Sequence, residues 1–240
     1  MGKWIIEDKE FISEKITSNG NKYLVGNGYM GIRGTLQEYE KNEFPAINLA
    51  GIYDQVGDAW REPLNAPNGL YTYIEFSGMQ YRLPENLPLD HHMALDYRHG
   101  VFYRNTSWDT GDGKICVKAE RFASLDETHL IAMKYSISID IDGDVKIYTG
   151  IDGDVWDING PHYDEVILSN INPIIYAVGI THECKHKICV GETYHVDFNT
   201  KEDIVTEKRK ILRVLSFKAK AGITYNLYKY IGVYTSKDCS

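Results

Sequence analysis

Short segments in which apolar and polar residues alternate dominate this chain and most constrain its fold. The clearest segments are Tyr71–Phe76, Ile115–Phe122, Leu130–Ile139, Lys146–Thr149, Ile174–Ile180, Ile188–Val190, Tyr194–Phe198, Ile211–Ala219 and Thr224–Tyr234. Alternation with a period of two places one set of side chains in a core and the other in solvent. The 18 Tyr and 21 Gly fit many strands joined by tight turns. The sequence therefore predicts an all-β fold, a large antiparallel β-sandwich.

Two stretches depart from this strand pattern. In Asp8–Ile16, the apolar residues Phe11, Ile12 and Ile16 share one face at helical spacing, which predicts a single short N-terminal helix. The stretch Leu83–His92 contains two prolines and a pair of histidines. We interpret this second stretch as a loop.

Charge and cysteine content limit the possible partners. The net charge is −8 and the pI about 5.5, which argues against a nucleic acid or an anionic membrane as partner. The short basic run Lys208–Arg213 is interpreted as a strand with a solvated charged face. The chain shows neither a leader pattern nor an apolar stretch of ~20 residues. With the scattered Cys116, Cys184, Cys189 and Cys239, this favours a soluble, cytoplasmic protein.

A glycine-rich segment near the N-terminus matches a nucleotide-binding pattern. Gly26–Gly31 reads G-x-G-x-x-G, which binds dinucleotides only between a strand and a helix. The residues that follow include Gly34 and the β-branched Thr35, and they show no helix start. The segment is therefore predicted to be a pair of strands that turns sharply on its glycines.

Two further motifs suggest metal sites that their surroundings do not support. His182–His186 reads H-E-x-x-H, a zinc motif on helices, but its flanks are typical of strands. Residues four apart on a strand lie about 13 Å from each other, too far to share a zinc ion. Asp140–Asp144 begins like a calcium loop, yet Val145 and Ile151 occupy the positions that need glycine and glutamate. We predict no metal, no cofactor and no catalytic residue in this chain.

The segment Asp140–Asp157 also contains two copies of the sequence Ile-Asp-Gly-Asp-Val. The copies are Ile141–Val145 and Ile151–Val155. Their flanks differ and their spacing is too short for a solenoid repeat. They are interpreted as successive hairpin turns.

Seven short segments form an ordered series along the chain. They are Leu24–Gly34, Asn48–Tyr53, Leu64–Asn68, Leu95–Gly100, Glu120–Ser124, Gly150–Val155 and Val233–Asp238. This series resembles the one near the N-terminus of glycoside hydrolase family 65. The chain thus resembles the maltose, trehalose and kojibiose phosphorylases over essentially its whole length.

This resemblance implies that residues 1–240 form one N-terminal β-sandwich of the supersandwich type. In that family a separate (α/α)6 barrel carries the catalytic glutamate and the phosphate site, so the chain alone is expected to be non-catalytic. The implied partners are this barrel in the parent protein, an α-linked disaccharide and phosphate, and a homodimer is open. The implied reaction is inverting phosphorolysis to β-glucose 1-phosphate. Hydrolysis and the identity of the disaccharide stay open.

Five residues are candidates for carbohydrate or domain contacts. Arg33 belongs to the glycine-rich segment and is a candidate for shaping the catalytic rim of the parent enzyme. Trp60, Tyr71, Trp108 and Trp156 could stack on sugars if the chain is a free-standing carbohydrate-binding or interaction module. The alternative for these aromatic side chains is a place in the core or in a domain interface.

Overall fold

The computed structural model describes residues 4–238, which fold almost entirely as antiparallel strands. The strands are β1 (Ile5–Asp8), β2 (Val25–Gly26), β3 (Met30–Ile32), β4 (Ile47–Asp54), β5 (Glu62–Asn65), β6 (Thr72–Phe76), β7 (Met79–Tyr81), β8 (Asp90–Asp96), β9 (Val101–Asp109), β10 (Lys114–Ala123), β11 (Leu130–Ile139), β12 (Gly143–Asp152), β13 (Tyr163–Ile171), β14 (Ile174–Thr181), β15 (Lys187–Val196), β16 (Lys201–Glu207), β17 (Lys210–Ala219) and β18 (Thr224–Thr235). One α-helix, α1 (Ile16–Lys22), and two 3-10 turns, Ser13–Lys15 and Lys41–Glu43, complete these residues.

The strands form three sheets. The largest has the order β1-β8-β9-β10-β11-β18-β15-β14-β13, the second has the order β16-β17-β12-β6-β7, and the small third sheet is β2-β3-β4-β5. The predicted all-β sandwich with at most one short helix is confirmed. No helix among residues 4–238 is long and apolar enough to cross a membrane.

The core lies between the sheets and follows from the alternation of the strands. Along β11, every second side chain from Ile131 to Ile139 is buried, and β18 alternates in the same way. The five-stranded sheet contributes Ile147 and Leu215, both fully buried, to the same hydrophobic cluster. One continuous core therefore joins the two large sheets.

The predicted helix at Asp8–Ile16 is wrong in position. Asp8 lies in β1, which pairs with β8 along the edge of the nine-stranded sheet, and the α-helix begins only at Ile16. Edge pairing satisfies backbone groups that a helix would otherwise use. The predicted loop at Leu83–His92 also ends early, because β8 begins at Asp90 and places the histidine pair on a strand.

Two interpretations of charged segments need correction. The first Ile-Asp-Gly-Asp-Val copy spans the turn from β11 to β12, but the second begins inside β12, where Asp152 is buried and pairs with Asn68. The basic run does enter a strand, β17, yet its face is not fully solvated. Arg213 at its end is 3% exposed and contacts Glu192 within the sandwich.

Candidate functional site

The glycine-rich segment forms the hairpin of β2 and β3. Asn27 sits in the turn, and its side-chain oxygen accepts hydrogen bonds from the backbone nitrogens of Tyr29 (3.1 Å) and Met30 (3.0 Å). Gly28 follows with a φ of 88°, which a residue without a Cβ adopts readily. The predicted strand pair turning on glycines is confirmed, and Asn27 with its bonds sets the shape of this turn.

The same asparagine fastens the hairpin to the nine-stranded sheet. Its side-chain nitrogen donates to the carbonyl oxygens of Ser124 (2.7 Å) and Thr128 (2.8 Å), which lie in the connection between β10 and β11. One amide side chain thus makes four hydrogen bonds. Asparagine suits this position because it offers two acceptor sites and two donors.

Replacing Asn27 by aspartate should lower the free energy of unfolding by about 2 kcal/mol, because a carboxylate keeps the acceptor but has no donor for two carbonyl oxygens. Urea unfolding of the chain measures the change. Asn172→Asp, at an exposed turn position between β13 and β14, is the matched control. An Asn27→Asp variant as stable as the control would show that the two carbonyl bonds do not hold the hairpin.

An aromatic stack fixes the hairpin to the last strand. The His129 ring lies 4.3 Å from the Tyr29 ring and 4.2 Å from the Tyr234 ring, between centroids. Tyr29 also donates its hydroxyl proton to Asp238 at 2.6 Å. Burial and the nearby Asp238 carboxylate raise the pKa of Tyr29, so its hydroxyl stays protonated and can donate. The hairpin of β2 and β3 therefore contacts the C-terminal end of the described chain.

The second half of the segment packs too closely for larger residues. A Cβ at Gly34 would lie 2.7 Å from the Cα of Tyr23, a distance that real Cβ atoms essentially never show. Just beyond, the Glu38 carboxylate accepts a hydrogen bond from Arg104 of β9 at 2.6 Å, with both side chains buried. Gly34 and Glu38 thus join this segment tightly to its neighbours.

Two of the predicted candidates, Arg33 and Trp156, meet beside the hairpin. The Arg33 guanidinium lies 5.7 Å from the Trp156 ring centroid and donates to the carbonyl oxygen of Thr17 at 2.7 Å. Trp156 donates to the carbonyl oxygen of Pro45 at 2.8 Å, and the exposed Phe44 ring meets it edge-on at 5.4 Å. Burial lowers the pKa of Arg33. We call the surface formed by the half-buried Arg33 and Trp156 and the exposed Phe44 the arginine–tryptophan patch.

The other three candidates lie apart from this patch. Trp60 is 58% exposed, in the connection between β4 and β5. Tyr71 is 2% exposed, and its hydroxyl donates to Glu40 at 2.6 Å. Trp108 is 2% exposed and donates to the carbonyl oxygen of Asn86 at 2.9 Å. Tyr71 and Trp108 therefore present no ring face to solvent.

A cluster of His and carboxylate side chains lies between β5 and β13, and the sequence did not indicate it. Glu62, Asp157 and His162 have metal-binding atoms within 4.8 Å of one another. However, the two ring nitrogens of His162 already lie 3.0 Å from Asp54 and 2.8 Å from Glu62. A metal-binding histidine needs one free ring nitrogen. The geometry fits a charged imidazolium held between two carboxylates.

The histidine side chains of the H-E-x-x-H motif take no part in that cluster, although the backbone nitrogen of Glu183 donates to Asp54 at 2.9 Å. His182 and His186 lie in the turn between β14 and β15, and the His182 ring bonds to Asp164 at 2.8 Å. The prediction that these two histidines cannot share a zinc ion assumed that both lie on a strand. The structure instead places them in a turn. Among the described residues, the group able to hold a metal contains neither histidine.

The His162 cluster predicts a pH dependence of stability. Burial alone would lower the pKa of His162, but hydrogen bonds to Glu62 and Asp54 outweigh it and raise the pKa above 6.5. The charged ring therefore stabilises the fold fully below about pH 6.5, and this contribution is lost as the pH rises through the raised pKa. Thermal unfolding between about pH 6 and 8 should show a falling midpoint. His162→Gln should reduce the change of the midpoint with pH, whereas the exposed control His99→Gln should keep it. The same change with pH in both variants would contradict the assignment of this effect to His162.

The fold of this chain matches part of a solved structure. It superimposes on a solved structure titled "Putative kojibiose phosphorylase from human microbiome" with a TM-score of 0.85 and 17% identity, covering 98% of this chain and 32% of that one. At this identity the likeness concerns the fold alone. The class is therefore that of the β-sandwich found in this larger protein.

The sequence defines the family. Residues 6–240 match the family model for the glycosyl hydrolase family 65 N-terminal domain, and the chain belongs to this family. It is 47% identical to a nigerose phosphorylase of Lachnoclostridium phytofermentans, covering 98% of this chain and 34% of the relative. It is 29% identical to a 1,2-alpha-glucosylglycerol phosphorylase of Bacillus selenitireducens, covering 98% and 31%. The chain thus spans about a third of the length of these relatives.

Proposed function

We propose that this chain is the non-catalytic N-terminal domain of a longer family 65 enzyme that phosphorolyses an α-linked disaccharide. The observation that carries the proposal is the match of residues 6–240 to the N-terminal domain of the family, in a chain that spans only a third of relatives named as phosphorylases. In this proposal the catalytic acid and the phosphate site belong to a C-terminal barrel of the parent protein.

The bonding of the buried carboxylates supports a scaffold role. Glu38 is engaged by Arg104, and Asp54 and Glu62 are engaged by His162. A general acid in an inverting reaction must instead stand free to protonate the leaving oxygen while the nucleophile attacks the opposite face. Carboxylates that are already paired with the side chains of Arg104 and His162 are poorly placed for that task. We assign them to holding the sandwich together.

Nigerose is the first substrate to test, because the relative at 47% identity is named for it. The parent enzyme, incubated with phosphate and each of nigerose, kojibiose, trehalose and maltose, should release glucose 1-phosphate from at least one sugar. Glucose 1-phosphate of β configuration, followed by NMR, would support inverting phosphorolysis. Release of glucose at the same rate without phosphate would show a hydrolase and overturn the proposal.

The arginine–tryptophan patch is the contact surface that we propose for the barrel, with Arg33 shaping the catalytic rim. Arg33→Ala in the parent enzyme should then lower kcat/KM about tenfold, the effect of one lost charged contact in the transition state. Arg98→Ala, at an exposed turn position after β8, should leave kcat/KM unchanged. An unchanged kcat/KM in Arg33→Ala would exclude the rim role.

We further propose a cytoplasmic location and a homodimeric parent enzyme. The free thiols of Cys116, Cys184 and Cys189 are compatible with a reducing compartment, while Cys239 lies outside the described residues. Cell fractionation and light scattering of the parent enzyme test the two proposals separately. Recovery outside the cytoplasm, or a monomeric mass, would overturn the respective proposal.

A further inference from the structure

The outer face of the nine-stranded sheet carries two adjoining depressions. Each has a volume of about 440 Å³, and Tyr103, Glu120 and Lys134 line both. Together they extend from β1 to β18, across six neighbouring strands, or about 24 Å at the usual strand spacing. We call this continuous depression the outer groove.

The strand register arranges the groove residues in lines that cross the sheet. Tyr103 of β9 lies opposite Glu120 of β10, Glu120 lies opposite Lys134 of β11, and Lys134 lies opposite Tyr228 of β18. The central row of side chains therefore consists of a tyrosine ring, a carboxylate, an ammonium group and a second tyrosine ring, in that order across the sheet. The Lys134 ammonium lies 5.7 Å from the Tyr228 ring centroid.

The rows of side chains on the two sides of this central row differ in polarity. On one side Phe122, Ala132 and Tyr230 face each other, with Phe122 42% and Tyr230 43% exposed. On the other side Lys118 lies opposite both Asn105 and Ser136. The groove thus has an apolar aromatic side, a mixed centre and a hydrogen-bonding side.

The charged groups at the centre are balanced and available. Among residues 4–238, Lys118, Glu120 and Lys134 make no ion pair within 4.0 Å, although Glu120 and Lys134 are cross-strand neighbours. On the outer face itself, the ammonium groups of Lys118 and Lys134 balance the carboxylates of Glu7 and Glu120, because the lining residues Arg104 and Arg121 are buried beneath the sheet. Such a lining favours a neutral ligand over an anionic one.

We propose that the outer groove binds a neutral oligosaccharide. Sugar hydroxyls donate to a carboxylate and accept from an ammonium group, so one ligand satisfies both Glu120 and Lys134. The apolar faces of sugar rings pack on Tyr103 and Tyr228 as other apolar groups do on aromatic rings. The length of the groove accommodates several sugar units.

A protein partner fits this surface less well. The cores of protein interfaces are depleted of Lys and Glu. Covering Glu120 and Lys118 without a partner for each would leave desolvated charges, which are costly. Neither a second copy of the chain nor another domain therefore matches the centre of the groove as well as a ligand rich in hydroxyls.

The test measures binding of maltotetraose and cellotetraose to the full-length parent protein by calorimetry. The groove variant is Tyr103→Ala/Tyr228→Ala. The matched control is Tyr176→Ala, on the outer face of β14 outside the groove. Wild type should bind at least one of the two sugars, the groove variant should bind it about tenfold more weakly, and the control should bind as wild type does.

Each other outcome decides against the groove. Absence of binding in wild type overturns the proposal, and so does equal binding by wild type and the groove variant, which places the sugar elsewhere. A groove variant that changes only the oligomeric mass identifies a protein interface and also overturns it. If the tyrosine variant does not fold, Glu120→Ala/Lys134→Ala replaces it, since both side chains point outward, and the same comparison applies.

Discussion

Replacing Glu38 with alanine should lower the free energy of unfolding by about 3–5 kcal/mol, the usual cost of leaving one member of a buried ion pair without its partner. The Arg104 and Glu38 side chains are 0% and 1% exposed. The Arg104 guanidinium donates to both oxygens of Glu38, which also accepts from the backbone nitrogen of Leu83. Without the carboxylate, the buried guanidinium has no ion-pair partner among residues 4–238.

A second substitution tests whether the loss comes from the stranded charge. In Glu38→Leu/Arg104→Met both charges are gone and the volume is largely kept, so much of the stability lost in Glu38→Ala should return. The recovery is incomplete because Arg104 also donates to Thr106 at 2.8 Å. Urea unfolding of each variant measures these differences.

The control is Glu165→Ala, an exposed position on β13 where a change within about 0.5 kcal/mol is expected. If Glu38→Ala costs no more than this control, the ion pair contributes nothing to stability. If the double variant is no more stable than Glu38→Ala, the loss does not come from an unpaired charge.

Eight of the 18 described strands could be predicted from alternation, because alternation reports burial directly; Ile188–Val190 and Tyr194–Phe198, predicted separately, both belong to β15. Leu130–Ile139 alternates without a break, and the observed strand has the same bounds. Some strands lack that pattern and were not predicted. All residues of Lys201–Glu207 are exposed, and Met79–Tyr81 has only three residues, two of them exposed. These strands form through backbone pairing with a neighbour, which a single segment does not show.

The buried polar residues could not be predicted for a related reason. Glu38 and Arg104 are 66 positions apart, and only the fold brings them together. The same holds for the outer groove: alternation in Ile115–Phe122 predicts that Glu120 faces outward, but only the strand register places it opposite Tyr103. Composition identified Trp108 as an aromatic candidate but contains no information about its burial.

The second large effect is expected at Lys229, whose ammonium group joins the two large sheets. Lys229 belongs to β18, and it donates to the carbonyl oxygens of Gly150 (2.9 Å) and Tyr71 (3.2 Å). Its ion pair with Glu192 of β15 spans 3.0 Å, and Glu192 also accepts from Arg213 of β17 at 2.9 Å. Burial lowers the pKa of Lys229, and Glu192 opposes this shift.

Lys229→Met should lower the free energy of unfolding by about 3–5 kcal/mol, because the apolar side chain fills the space but leaves two carbonyl oxygens and part of the Glu192 charge unsatisfied. Glu192→Gln alone should also destabilise the chain, since Lys229 and Arg213 both lose a counter-charge. The stability loss of the double variant should be smaller than the sum of the two single-variant losses by more than about 1 kcal/mol, as expected for groups that interact directly. Urea unfolding of the four proteins provides this cycle. Losses that add within about 0.5 kcal/mol would show that Lys229 stabilises the sandwich through its carbonyl contacts and not through Glu192.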